Sequence, residues 1–313
     1  MVGGHSIGRV SGRETWFENS VTMAKAPILL TGGTGQVGQA VLRHAAERGL
    51  EIFAPIRAQM DLTNVQSIAD MVASRPWSAV INCAAYTAVD RAETDAEMAE
   101  QINAVAPAIL AAETAKQDIP IIHVSTDYVF DGTKNAPYVE EDAVNPLGVY
   151  GRTKEKGEIA VRTQNPRHVI LRTAWVVSAG GANFINTMIR LASERPEVNV
   201  VNDQLGCPSS ASDIAQALLT VTDPPAAYYG TGHFVNVGEA SWYDLAAHIF
   251  ADMDQRGLAT PVLKAIPTSQ YPTPAARPSN SRLSTAAIQR DFGIQPRHWR
   301  DAIDAILAER FSI

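Results

Sequence analysis

One short stretch constrains this chain more than any other. Ile28-Leu29-Leu30 runs directly into Thr31-Gly32-Gly33-Thr34-Gly35-Gln36-Val37-Gly38, and apolar residues continue at helical spacing from Val37 to Arg48. Gly32, Gly35 and Gly38 therefore stand three residues apart between a strand and a helix. A sharp strand-to-helix turn needs a residue tolerant of positive φ, and close packing of the helix on the strand needs residues without side chains. The helix start also presents free N–H groups and the positive end of its dipole, which suits a pyrophosphate. A glycine pattern alone is weak, but this position near the start of a βαβ unit is the context that marks a dinucleotide site. The cofactor contacts expected here are Gly32, Gly35, Gln36 and Val37.

The strand–helix rhythm continues along the chain. Leu50 to Ala54, Ala79 to Ala84, Ile119 to Val124 and Val169 to Leu171 are short apolar runs, and the alanine-rich stretch Ala96 to Lys116 is periodic and expected to be helical. Continuous apolar strands alternating with helices predict a parallel sheet covered on both faces, a Rossmann-like doubly wound α/β fold. After Ala174 the rhythm loosens. Phe184 to Ser193 and Ser212 to Val221 read as helices, and Ile266 to Arg282, with Pro267, Pro272, Pro274 and Pro278, reads as an extended loop. The expected division is a mainly dinucleotide-binding domain over 26–175 and a smaller C-terminal substrate-binding lobe over 176–313, with some chain returning to the main sheet. A ligand cleft belongs where the lobe meets the carboxyl ends of the strands. Met1 to Thr22 is glycine-rich and lacks both apolar periodicity and a secretory h-region, so it reads as a disordered tail or a misassigned start upstream of Met23.

Composition narrows the function classes. The 313 residues are 46% hydrophobic, enough for a sizeable core, and 26 basic against 33 acidic residues give a net charge of −7. No basic stripe stands out, so neither nucleic acid nor an anionic membrane is expected as the main partner. No apolar run approaches the roughly 20 residues needed to span a bilayer. Cys83 and Cys207 form neither a metal-ligand spacing nor a disulfide framework, which fits a reducing cytoplasm. The seven histidines stand singly, and no protein-held metal is expected.

Two further segments carry chemistry. Tyr150-Gly151-Arg152-Thr153-Lys154 places a phenol and an ammonium four residues apart, on one face of a helix. A carbonyl that receives hydride becomes an alkoxide and needs a proton. A phenol with an ordinary pKa near 10 can supply one if the neighbouring Lys154 and a charged oxidised nicotinamide bring that pKa toward the working range. Ser125-Thr126-Asp127-Tyr128-Val129-Phe130 ends the fourth strand, where the Thr126 hydroxyl can donate to the carbonyl oxygen. At the end of the second strand, the acid that would bind a ribose 2′-hydroxyl is replaced by Pro55, and Arg57 follows. Arg57 is either a receptor for a 2′-phosphate, favouring NADPH over NADH, or a solvated loop cation. Asp61, ahead of Leu62, either faces the adenine or caps the following helix.

Taken together, these residues resemble the extended short-chain dehydrogenase/reductase superfamily, to whose members the Gly-x-x-Gly-x-x-Gly spacing also points. Within it they resemble the dTDP-4-dehydrorhamnose reductase family, over nearly the whole chain from Ala26. The resemblance rests on Gly32 to Gly38, Asn82 to Asp90, Ser125 to Phe130, Tyr150 with Lys154, Thr173 to Val176 and Asn183-Phe184. Later come Asn202-Asp203-Gln204 with Gly206 and Pro208, then Tyr271 to Pro278 and Asn280 to Leu283, the most specific block. It implies reduction of a dTDP-4-keto sugar by NADPH or NADH, the final step of dTDP-L-rhamnose synthesis. In that scheme Tyr150 is the general acid, Lys154 its helper and Thr126 the carbonyl donor. Asp127, Tyr128 and Trp175 would meet the sugar, with Trp175 stacking on it. Asn183, Gln204 and Arg282 would serve the nucleotide diphosphate side, and Ala84, Ala85, Tyr86 and Asn103 would border the cofactor. Arg277 is either part of this machinery or a solvated loop cation.

Two departures from the family pattern matter. Val177 stands where tyrosine often follows Trp-Val. Gln39-Ala40 follows Gly38, where some members place an acid for a magnesium-bridged dimer, so a monomer or weak homodimer is expected. Three rivals share the fold. A sugar-nucleotide dehydratase would need a second carboxylate where Tyr128 stands. Another 4-ketosugar reductase would differ in sugar pose. A non-catalytic subunit resembling the regulatory partner of methionine adenosyltransferase would not require both Tyr150 and Lys154.

Overall fold

In the computed structural model, which describes residues 26–222 and 229–312, six strands form one parallel sheet. They are β1 (Ile28–Thr31), β2 (Ile52–Phe53), β3 (Ala79–Asn82), β4 (Ile121–Thr126), β5 (His168–Thr173) and β6 (Gly230–His233), in the order β6-β5-β4-β3-β1-β2. The expectation for Met1 to Thr22 falls outside the described residues. Side chains alternate across the sheet as the period of two requires. Ile28 and Leu30 pack with Val41 of helix Gln36–Glu47, Leu218 of helix Ala211–Val221 and Ile288. Leu29, Val80 and Ile170 pack on the opposite face with Ile68, Leu110 and Val161. Both faces are therefore dry and helix-covered, which is why the strands read as continuous apolar runs. The chain runs from β1 outward to β2, then crosses back to β3 on the other side of β1. That reversal opens a crevice at the carboxyl ends of β1 and β3.

The chain beyond Trp175 builds a second core and also rejoins the first. Ile185, Met188, Leu245, Ile249, Trp299 and Ile303 cluster away from the main sheet, beneath the parallel pair Glu197–Val201 and Val262–Ile266. The helix Ala211–Val221 and β6 return to the sheet, β6 pairing with β5. From Pro267 to Arg282 the only regular element is a short turn at Thr268–Gln270, as the prolines predict.

The stretch expected to be one helix from Ala96 to Lys116 contains a π-turn at Gln101–Val105, flanked by α-helix on both sides. Pro107 has no N–H to give to Asn103, four residues earlier, so the α-pattern fails there and one residue is accommodated as a bulge. The freed Asn103 carbonyl faces the helix Val149–Gln164. Contact is possible because residue 157 is glycine: a Cβ there would lie 2.1 Å from the Asn103 oxygen. Replacing Gly157 with Ala should destabilise the chain by about 1–3 kcal/mol through overpacking. The readout is a lower urea midpoint, and an unchanged midpoint would show that the two elements do not pack this tightly.

Candidate functional site

The crevice is a cleft of about 1070 Å³ that runs from the glycine turn across the ends of β3 and β4 to the helix bearing Tyr150. At one end Gly32 holds φ at +73°, and its Cα comes so near the β3 loop that a Cβ would lie 2.6 Å from Ala84 N. The helix that follows begins at Gly35 with no side chain capping its first N–H groups and no acid in its first turn. Those donors and the dipole are left for an anion. Gln36 and Val37 line the same wall, with Ala84, Ala85 and Tyr86 opposite.

At the ribose end, Arg57, Asp61 and Leu62 all line the cleft. Arg57 is largely exposed and sits 3.6 Å from Asp61, so its guanidinium is free to turn toward a phosphate. Asp61 does not cap the next helix. Its Oδ1 accepts from the Thr63 N–H and hydroxyl, and the cap is Asn64, which accepts from Gln66 and Ser67.

At the other end, Thr126, Asp127, Tyr128, Tyr150 and Lys154 converge. The helix Val149–Gln164 reaches the end of β4 because Gly151 lets it touch the Tyr128 carbonyl, where a Cβ would lie 2.1 Å from the oxygen. Thr126 Oγ1 donates to Asp127 Oδ1 at 3.0 Å and lies against the Tyr150 phenol. The Tyr128 and Tyr150 rings meet edge to face at 5.4 Å. Lys154 Nζ donates to the Val124 carbonyl at 2.8 Å. Burial pushes the Tyr150 phenol up to about 12, outweighing the Thr126 hydrogen bond that lowers it. The sequence suggested the opposite direction, because it shows the neighbouring cation and not the loss of water. Burial also brings Lys154 down to about 8 and raises Asp127 to about 6.

Not every expected residue reaches the cleft. Asn103 is buried behind it: Oδ1 accepts from Tyr86 N at 2.8 Å, while Nδ2 donates to the Tyr86 carbonyl and to Thr153 Oγ1. It clamps the β3 loop to the Tyr150 helix. Gln204 bridges Thr268 and the Trp242 indole N–H, and Arg282 is held by Glu239, Asn280 and the Asn135 carbonyl. Neither lines the cleft. Asn183 does line it, caps its own helix, and donates to Gln36 Oε1 at 2.9 Å. Trp175 borders the cleft, but Trp242 stacks on its indole at 3.5 Å. Gly206 covers the ring as well, since a Cβ there would be nearly equidistant from Cε2, Cζ2 and Nε1, at 2.4–2.7 Å. A point so placed lies over the ring face, and the two neighbours cannot share one face. Stacking on a sugar would therefore require Trp242 to move away. Arg277 is no solvated loop cation: it grips both oxygens of Asp90 and ties the proline-rich loop to the helix Val89–Ala92.

Sequence reasoning missed Thr173 and His123. Thr173 lines the cleft with a buried hydroxyl that has no partner. His123 is fully buried beside Lys154. A polar residue inside an apolar strand run was the available signal for His123.

Comparison with known proteins agrees with this layout. The family described as the RmlD substrate binding domain matches residues 26–311. The chain belongs to this family. The dTDP-4-dehydrorhamnose reductase of Sinorhizobium fredii is 41% identical over 280 residues, covering 88% of this chain and 94% of that protein. The Salmonella typhimurium reductase is 40% identical over 295 residues, covering 91% and 98%. The crystal structure of a dTDP-4-dehydrorhamnose reductase from Clostridium acetobutylicum matches with a TM-score of 0.86 at 36% identity, covering 92% of this chain and all of that one. The Bacillus anthracis reductase, solved in complex with NADP, gives 0.86 at 29% identity, covering 91% and 99%. The family resemblance drawn from the motifs is thereby borne out.

Below the Tyr150–Lys154 pair, Glu158 is fully buried and binds Arg172 through both oxygens at 2.7 and 2.9 Å, and Arg162 at 2.9 Å. Those partners hold its carboxyl down to about 2 against the opposing pull of burial. A folded-state pKa below the unfolded value gives stability that is present at neutral pH and lost as pH falls toward 2. Glu158→Gln should cost about 3–5 kcal/mol at pH 7, because Arg172 stays buried without its charge partner. It should also flatten the acid side of the stability curve. Equal denaturation midpoints for both proteins at pH 7 would contradict the assignment.

Proposed function

We propose that this chain reduces the C4 ketone of dTDP-4-dehydro-L-rhamnose with NADPH, giving dTDP-L-rhamnose at the last step of its synthesis. The observation that carries the reading is one cleft in which an uncapped helix start faces a phenol, a hydroxyl and an amine grouped at the end of β4. The family relatives named dTDP-4-dehydrorhamnose reductase and the NADP complex of one of them support both the substrate and the cofactor.

The residues fit that cofactor. The N–H groups of Gln36 and Val37 suit its pyrophosphate, the exposed Arg57 suits a 2′-phosphate, and Ala84 to Tyr86 offer an opposite wall. When bound, NADPH supplies the hydride. The Thr126 hydroxyl, turned from Asp127, donates a hydrogen bond to the ketone oxygen and stabilises the charge that develops there. Tyr150 gives its proton to that oxygen. Its high pKa is an asset in this direction, since an acid must hold its proton until it is used. Lys154, as an ammonium, offers protons to ribose hydroxyls and favours the phenolate left behind. Tyr128 and Asp127 line the sugar end, and Asn183 joins the lobe to Gln36.

The same reading divides the chain into a mainly dinucleotide-binding domain over 26–175 and a mainly sugar-nucleotide-binding lobe over 176–313. It takes the protein as a cytoplasmic monomer or weak homodimer with no nucleic-acid or membrane partner. No helix among the described residues is long and apolar enough to cross a membrane.

Incubation with dTDP-4-dehydrorhamnose should consume NADPH and yield dTDP-L-rhamnose, identified by NMR. Tyr150→Phe should lower kcat by at least about 100-fold while leaving the NADPH dissociation constant within about threefold. Undiminished turnover in that variant would remove Tyr150 from the mechanism.

A further inference from the structure

Behind Lys154 runs a row of polar side chains that the reaction above does not use. Thr31 Oγ1 donates to Asn82 Oδ1 at 2.5 Å, and Ala84 N donates to the same oxygen at 3.2 Å. Asn82 Nδ2 lies 2.9 Å from His123 Nδ1, and His123 Nε2 lies 3.4 Å from Lys154 Nζ. Thr31, Asn82, His123 and Lys154 are each no more than 2% exposed.

The direction of the bonds along this row follows from the Ala84 N–H. A backbone N–H can only donate, so the amide atom of Asn82 facing Ala84 is the oxygen. The other amide atom is then the NH₂, which also only donates, so His123 Nδ1 must accept with its lone pair. A neutral imidazole with a bare Nδ1 carries its proton on Nε2. A second proton would set two donors face to face in the core, and burial keeps the His123 pKa well below its usual value. The Nε2–H thus points at Lys154 Nζ. An ammonium has no lone pair and meets this group donor against donor, whereas a neutral amine accepts from it.

Other groups act on Lys154 from each side. Glu158, on its own helix, favours the ammonium. Cys83, beyond β3, has its thiol pushed up to about 12 by burial and so stays uncharged at working pH. The Val124 carbonyl on β4 accepts from Nζ. Tyr150 stands one helical turn away on the same face. Among these, His123 alone opposes the charge with a directed donor.

We propose that His123 is a positioning residue that sets the charge state of Lys154, presenting an N–H to Nζ in an orientation fixed by Asn82 and by the Ala84 N–H on the β3 loop. The proposal rests on the reading of Tyr150 and Lys154 as the reacting pair. The ammonium is the working form in that reading, so activity falls as pH rises through the lysine's pKa, and His123 sets where that fall begins.

Two measurements test it. In the wild-type chain labelled with ¹⁵N-histidine, His123 should give the shifts of the Nε2–H tautomer, unchanged between about pH 5 and 9. An Nδ1–H tautomer, or protonation in that range, would overturn the proposal, and this arm needs no folded variant. In His123→Asn, the shorter amide oxygen takes over from Nδ1 as acceptor for Asn82, and the N–H facing Lys154 is gone. The basic limb of kcat/KM, and the Lys154 ¹³Cε titration, should both move up by about one pH unit, a tenfold gain in proton affinity. Both staying at their wild-type positions would overturn it. If Lys154→Met kept wild-type turnover and profile, the reading of the pair would fall, while the tautomer and the lysine titration would still decide on His123.

Discussion

The helix that carries Tyr150 and Lys154 can lie against β4 and the π-turn only because Gly151 and Gly157 have no side chains, and the rest of the site follows from that approach. With Gly151 on the Tyr128 carbonyl, the phenol is held beside Thr126. With Gly157 on the Asn103 carbonyl, the buried Asn103 amide can grip both Tyr86 and Thr153. The same close packing removes water from Lys154, Glu158 and Arg172, so each must find its partner inside the protein. A site held by backbone contact is stiff, which is what positioned proton transfer requires.

Loss of water also sets the chemistry. Both the Tyr150 phenol and the Lys154 amine are pushed toward their uncharged forms, the phenol up to about 12 and the lysine down to about 8. In the reduction proposed for this chain the first shift would be useful, because a protonated phenol would be the reagent. The second is a cost that places the lysine's ionisation close to working pH, where a single facing N–H can move it. The glycine turn lies at the far end of the same polar row, since Thr31 is both the last residue of β1 and the first member of the chain that ends at Lys154.

Much of this was legible in the sequence because it depends on local pattern. The glycine turn, the apolar strand runs, the helix after Gly35 and the Tyr150–Lys154 spacing each follow from residues close together in the chain. Their burial between two helical layers follows from the absence of polar alternation. What the sequence hid depends on residues far apart. Trp175 looks available for stacking until Trp242 and Gly206 are found against it. Gln204 and Arg282 look like ligand contacts until their partners at Thr268 and Glu239 are seen. Asn103 was expected to border the cofactor, but it lies behind the loop on Tyr86 and Thr153, and the π-turn that presents it arises from a proline four residues on. The Tyr150 phenol stands higher than its spacing to Lys154 suggests for the same reason: spacing reveals a charge and conceals burial.

In the proposed reaction the phenol and the Thr126 hydroxyl meet one oxygen. A crystal structure of the chain with NADP⁺ and a dTDP-sugar bound tests that directly. Tyr150 Oη and Thr126 Oγ1 should both lie within about 3.2 Å of the sugar O4, with the nicotinamide ring against C4. A bound sugar whose O4 is turned away from both hydroxyls would contradict the account.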